Sequence, residues 1–301
     1  MTANVIFIDL PVGTGFSYAT TYNASRSSDS LLAQQSYKFL IKWLEEHPRF
    51  INNPLYITGI SYMGLLAPIV TLEIFKENNK IFKGNERGDI APLNIKGCVI
   101  VSPLTDKFSD FNSRFEFAHR FALISDDIYE SAKETCRGNY VDNDPENVLC
   151  LKSLERVDEC TSRINSGNIL DPYFDEEDPD PNCREAKALH VREGTIEKFE
   201  KTNDEIHYAF KKADTEHYSY DIFSSIAYHK TLISKNCQVL IFSGDHDFTF
   251  PYVGAEQWIT SLNLPVESPW NPWFVNNQVA GYVTKYVKDE YSLTYTTIKV
   301  L

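Results

Sequence analysis

The sequence predicts an α/β fold with a mostly parallel sheet covered on both faces. Three observations predict it. Short apolar, β-leaning runs recur at residues 4–10, 55–60, 95–101, 238–243 and 293–301. Helix-period patterns follow the early ones, which is how parallel strands are joined. Ser61 and Asp247 stand just past two of these runs, and open α/β sheets carry function at the carboxyl ends of their strands.

The first run, Asn4-Val5-Ile6-Phe7-Ile8-Asp9-Leu10, has the composition of a buried strand. It lacks a basic start and a small-residue cleavage site, so it is no signal peptide. A chain opening on a core strand is expected to be a piece of a longer protein. Pro11-Val12-Gly13-Thr14-Gly15-Phe16-Ser17-Tyr18 follows. Gly-x-Gly after a strand invites a dinucleotide reading, but no third Gly and no helix-opening pattern support it. The Gly pair instead suits a loop passing close to a substrate or another backbone. Asn23-Ala24-Ser25 is a glycosylation sequon, a pattern that also arises by chance.

Residues 27–47 read as a helix capped by Ser27 or Ser28. Leu31, Leu32, Phe39, Leu40, Trp43 and Leu44 recur at three- and four-residue steps, and Pro48 ends it. Next comes Leu55-Tyr56-Ile57-Thr58-Gly59-Ile60-Ser61-Tyr62-Met63-Gly64, the centre of the chain. A strand meets Gly, then Ser, then a second Gly, and a helix pattern over residues 62–76 begins. This is the layout of a nucleophile elbow, in which small neighbours let a tight turn hold a hydroxyl above the sheet. The Tyr62 amide would then face a developing oxyanion. The spacing is one longer than the common G-x-S-x-G, and a serine that only caps a helix is the alternative. Pro68 is expected to kink the helix.

After the strand at residues 95–101 the character changes. Residues from about 106 to 221 are polar, helix-prone and cysteine-bearing, and read as an insertion, a cap over the sheet. The chain has six cysteines. Cys136, Cys150 and Cys160 lie close together without C-x-x-C spacing, which disfavours zinc and favours a disulfide-bearing region in an oxidising compartment. Cys98 and Cys237 sit in apolar runs and read as buried thiols. The acidic run Asp175-Glu176-Glu177-Asp178-Pro179-Asp180-Pro181 lacks interleaved His or Cys and reads as a solvated loop, so no metal is expected. A net charge of −13 argues against nucleic acid and anionic membranes as partners, and no apolar run approaches membrane length.

Ser61 followed by Asp247 gives two members of a Ser–acid–His order. The seven histidines are His47, His119, His190, His207, His217, His229 and His246, and none follows Asp247. His246 is adjacent to the acid and poorly placed to share a hydroxyl with it. His47 closes a helix and suits its dipole. The others fall in or beside the cap.

Asp9-Leu10-Pro11-Val12-Gly13-Thr14-Gly15-Phe16-Ser17-Tyr18, the G-x-S-Y-x-G elbow, Ser102-Pro103-Leu104-Thr105-Asp106 and Ser243-Gly244-Asp245-His246-Asp247 together resemble serine carboxypeptidases. The plant serine carboxypeptidase-like proteins, many of them acyltransferases using sugar esters, are the nearest group. Asp221-Ile222-Phe223-Ser224-Ser225, Trp258-Ile259-Thr260-Ser261-Leu262-Asn263 and Trp270-Asn271-Pro272-Trp273 extend the match in one register. The resemblance implies one incomplete α/β-hydrolase fold over residues 1–301, with a mostly parallel sheet and an inserted helical, cysteine-bearing cap. It implies a secreted or vacuolar address, glycosylation at Asn23 and no cofactor. It makes Ser61 the nucleophile, Asp247 the triad acid, Tyr62 an oxyanion amide, and Gly13, Thr14 and Gly15 part of the substrate loop. Ile60 stands where the family carries Glu or Asp to hold a peptide's C-terminal carboxylate. The family's Gly-rich oxyanion loop and its triad His would fall beyond the two ends of the sequence. Phe174 stands where the family often has Cys, which would leave Cys183 without a partner, and another family Cys is replaced near Thr202.

Cys136 and Cys150 are expected to bridge the loop between them, with Cys160 and Cys183 as a second candidate pair. The substrate expected is a small-molecule ester or a peptide C-terminus, handled through a Ser acyl-enzyme that is impaired without a His. The alternatives are a non-catalytic relative that keeps the pocket for binding, and a truncated product that folds poorly.

Overall fold

The computed structural model describes residues 3–82, 91–173 and 218–299. They divide into two compact units: the described parts of Met1–Ser36 with Phe174–Ile222, and of Tyr37–Tyr173 with Phe223–Leu301.

In the first unit, residues 4–10 form no strand. This corrects the sequence expectation, and the reason is physical. A strand needs a neighbour to take its amides and carbonyls, and apolar composition supplies none. Val5 and Phe7 are 66% and 91% exposed. A short helix α1 (Tyr22–Ser25), capped by the Thr21 hydroxyl, carries the sequon's asparagine. Strand β1 (Ser27–Ser28) pairs in parallel with β4 (Tyr218–Ser219). Helix α2 (Asp29–Glu46) then begins on a buried Asp29, whose carboxylate accepts from the Tyr218 hydroxyl at 2.7 Å and the Ile222 amide at 2.9 Å.

The second unit holds the sheet. Its strands are β2 (Leu55–Ile60), β3 (Ile95–Val101), β5 (Gln238–Gly244), β6 (Val266–Val275), β7 (Gln278–Lys288) and β8 (Tyr291–Ile298). The order is β2-β3-β5-β8-β7-β6. The four strands β2, β3, β5 and β8 run parallel, and β7 and β6 close the sheet antiparallel. In β8 one face alternates into the core through Tyr291, Leu293 and Tyr295. Against them pack Ile100, Val239, Ile241, Trp258 and Ile259.

Helix α3 (Tyr62–Phe82) joins β2 to β3 and continues through Pro68. It runs past residue 76, the expected end, into a polar stretch. The side-chain amide of Asn78 explains this, because it donates to the Leu93 carbonyl at 2.8 Å and accepts from the Leu93 amide at 2.9 Å. The cap region supplies α4 (Lys107–Arg120), α5 (Asp126–Cys136) and α6 (Val148–Thr161), with a small core of Ala118, Ile124, Ala132 and Val157. Helix α7 (Ile226–Leu232) leads to β5, and α8 (Tyr252–Ser261) follows it. The β6–β7 hairpin was not foreseen. Its turn, Asn276-Asn277, has both residues left-handed, the two-residue geometry that matches strand twist. Pro269 and Pro272 disguised the strand. They are tolerated because β6 is a sheet edge, where missing amides cost little.

Cys136 at the end of α5 is bonded to Cys150 in α6, as expected. The bridge closes a loop of about 15 residues, for which chain entropy contributes about 3 kcal/mol. Cys136→Ser with Cys150→Ser is therefore expected to lower the urea midpoint by that equivalent, and an unchanged midpoint would contradict it. Cys160 is exposed and unbonded among the described residues, and Cys183 lies outside them. Cys98 and Cys237 are buried free thiols, and burial pushes Cys237 up to about 12.

Candidate active site

The site is built where β2, β3 and β5 end. Strand β2 stops at Ile60, and Ser61 takes a left-handed conformation (φ 57°) before α3 starts at Tyr62. That conformation costs a non-glycine residue about 1 kcal/mol or more, so the surroundings must enforce it. They do so through the backbone. The Ser61 amide donates to the Val101 carbonyl at 2.9 Å, and its own carbonyl accepts from Gly64 at 2.9 Å and Leu104 at 3.1 Å. A side chain at position 59 would overlap the Met63 carbonyl, and one at position 64 would overlap Pro103. Only glycine fits at either place. A capping serine would be extended and would accept through its hydroxyl. Ser61 does neither: its side chain is exposed, with no hydrogen bond among the described residues. Ile60 beside it is 62% exposed and offers no donor.

One strand over, β3 ends at Val101 and Ser102 is also left-handed (φ 39°). The Ser102 amide donates to the Phe242 carbonyl at 2.8 Å, and its hydroxyl hydrogen-bonds the Asp247 side chain. Beyond it, the Thr105 and Asp106 amides donate to one oxygen of Asp110 at 2.6 and 3.0 Å. Burial pushes the Asp110 carboxyl up to about 7, against the pull of those two amides.

One strand further, the turn after β5 carries Asp247, 9% exposed, whose carboxylate accepts from the Phe250 amide at 3.0 Å. Burial raises its pKa, while the Phe250 amide, the Ser102 hydroxyl, the Thr249 amide and the Arg114 charge pull it down. Ser61 and Asp247 thus stand at the same edge of one parallel sheet, with the end of β3 between them.

Three of the described histidines are hydrogen-bonded elsewhere, and the fourth is buried in the core. His246 pairs with Asp245 at 2.6 Å and abuts Phe121. His119 pairs with Asp126 at 2.7 Å and stacks on Tyr129. His47 donates to the Trp43 carbonyl at 2.8 Å, the terminal role its position suggested. His229 is fully buried against Trp258, and burial lowers it to about 4. None is hydrogen-bonded to Ser61 or Asp247. His190, His207, His217, Phe174, Thr202 and the acidic run at 175–181 lie outside the described residues.

The Gly13 loop belongs to the first unit and is described by itself. The Gly13 amide donates to the Ser17 carbonyl at 2.7 Å, Gly13 and Gly15 are both at positive φ, and the Asp9 carboxylate accepts from the Phe16 amide at 2.8 Å. No helix opens directly on this loop, so it lacks the helix N-terminus that a dinucleotide phosphate would need. Among the described residues no group of three or more His, Cys, Asp or Glu could hold a metal ion, and no helix is long and apolar enough to cross a membrane.

The sequence did not single out Ser102, Asp110 or Arg114 as parts of the site. A signal existed for the last two: Asp110 and Arg114 are four apart on α4 and share a face, just past its N-cap Asp106.

A strained serine on a strand-to-helix turn, with an acid two strands away on the same edge, defines the α/β-hydrolase class. The comparisons narrow this. Residues 1–300 match the family described as serine carboxypeptidase, and the chain belongs to that family. Serine carboxypeptidase-like 2 and serine carboxypeptidase-like 1 of Arabidopsis thaliana are each 41% identical over 99% of the chain, which spans 66% of their length. The crystal structure of Kex1, a prohormone-processing carboxypeptidase from Saccharomyces cerevisiae, superposes with a TM-score of 0.63 at 18% identity. That match covers 97% of the chain and 68% of the crystallised Kex1 chain, and supports the fold.

Proposed function

We propose that the protein is of the acyl-enzyme type, with Ser61 as nucleophile and Asp247 as the acid that orients a histidine base. Ser61 Oγ attacks an ester or peptide carbonyl, its proton passes to the base, and the Tyr62 amide meets the oxyanion. The leaving group takes the proton, and water or an alcohol then releases the acyl group. The observation that carries this is the left-handed Ser61, held on the edge that also holds Asp247.

Ile60 steers the donor class. A free carboxylate needs a donor beside the nucleophile, and an exposed isoleucine has none. Neutral donors, such as sugar esters, suit this mouth better than peptide C-termini. A secreted or vacuolar address and glycan attachment at Asn23 belong to the same proposal, and the Cys136–Cys150 bridge fits an oxidising compartment. A second reading, a binding protein that keeps the pocket, draws on the four described histidines being paired or buried away from Ser61.

The test of donor class uses paired phosphonate probes that differ only in a free carboxylate or its methyl ester. The neutral probe is expected to label Ser61 faster, and Ile60→Gln, which supplies a donor, to narrow the gap. Preference for the charged probe would overturn the assignment of donor.

A further inference from the structure

Arg114, on α4, is not among the residues that attack, receive a proton or meet the oxyanion, yet it grips the segment carrying Asp247. Its Nε and Nη2 both donate to the Thr249 carbonyl, at 2.9 and 2.7 Å. The Thr249 amide is held from the other side by the Ser166 carbonyl at 2.7 Å, which also takes the Phe248 amide at 2.9 Å. The guanidinium lies over the Phe111 ring at 4.2 Å, and Phe111 faces Phe250 with ring centroids 6.2 Å apart. A residue two positions past Asp247 is thus clamped at both its backbone groups, and the clamp is charged.

We propose that Arg114 is the positioning residue for Asp247: its fork fixes the turn that aims the carboxylate and sets a guanidinium charge beside that turn. The functional meaning rests on the reading of Asp247 as the triad acid; the placement does not. The groups facing Asp247 are few. From α4 come Arg114 and, behind it, Asp110; from the end of β3 comes the Ser102 hydroxyl; from its own loop come the Phe250 and Thr249 amides. The neighbouring Asp245 and His246 pair with each other. Arg114 is the only cation in that set, and it is shared between two buried carboxylates, Asp110 and Asp247. A guanidinium suits this place because its planar fork delivers two donors to one oxygen and stays charged when half-buried.

The test separates charge from fork. In the whole 301-residue chain, with ¹³C-labelled aspartate and Asp247→Asn to assign the signal, the side-chain carboxyl of Asp247 is titrated by NMR. Arg114→Gln keeps a planar donor for the Thr249 carbonyl and removes the charge. Its Asp247 midpoint is expected to rise, because an opposite charge that favours the ionised form is lost. Arg114→Lys keeps the charge, and its midpoint is expected to stay within about half a unit of the native one. An unchanged midpoint in folded Arg114→Gln, or an equal rise in both variants, would overturn the proposal. If Arg114→Gln does not fold, Arg114→Lys decides: a clear rise there contradicts the charge role. An unreactive Ser61 would leave this titration as it is, so the two proposals fail separately.

Discussion

Offered activated esters, the 301-residue polypeptide is expected to turn over at a rate near background. A serine hydroxyl is protonated at neutral pH and attacks slowly unless a base takes its proton. Among the described residues the histidines are His47, His119, His229 and His246, and each is paired or buried elsewhere. Losing the base alone in a serine protease costs about as much as losing the whole triad, on the order of 10⁶ in turnover. Losing an oxyanion donor, typically worth about 10²–10³, adds little wherever the base is already lost. Exogenous imidazole can stand in for an absent side chain. Above imidazole's own cleavage of the ester in protein-free buffer, millimolar imidazole is therefore expected to accelerate the reaction in the native sequence and not in Ser61→Ala. Turnover typical of a serine hydrolase without imidazole would show that a base is already in place.

Gly59→Ala is expected to harm the fold at the elbow itself. The added methyl would overlap the carbonyl of Met63 and press on Ala67, so either the turn opens or α3 moves. Neither neighbour is the far end of a flexible side chain. Overpacking of this kind costs about 3 kcal/mol, and here it also displaces Ser61. Gly167→Ala is the control, since its nearest atom is the Asn165 side-chain oxygen at 3.5 Å. Urea denaturation is expected to separate the two by most of that amount. Equal midpoints would mean that the elbow is looser than its contacts indicate.

What could be read from the sequence was local. Gly59, Ser61 and Gly64 announce the elbow because a tight turn excludes side chains, and that exclusion is written residue by residue. The apolar runs of β3, β5 and β8 announce the parallel half of the sheet for a similar reason. Residues 4–10 carried the same composition, yet pairing decides strands and composition does not. The β6–β7 hairpin hid behind Pro269 and Pro272, although two adjacent asparagines at 276 and 277 were its signal. The contacts that hold Asp247 were out of reach because they span the chain. The Ser102 hydroxyl, the Arg114 fork and the Ser166 carbonyl reach it or its loop from three separate segments.

The central claim is that Ser61 is the nucleophile of an acyl-enzyme site. The most direct measurement is the time course of fluorophosphonate adduct formation on the 301-residue chain, followed by intact mass and mapped to its residue. The account predicts a slow adduct at Ser61, accelerated by imidazole and absent from Ser61→Ala. An adduct on another residue, or labelling that survives Ser61→Ala, would contradict it.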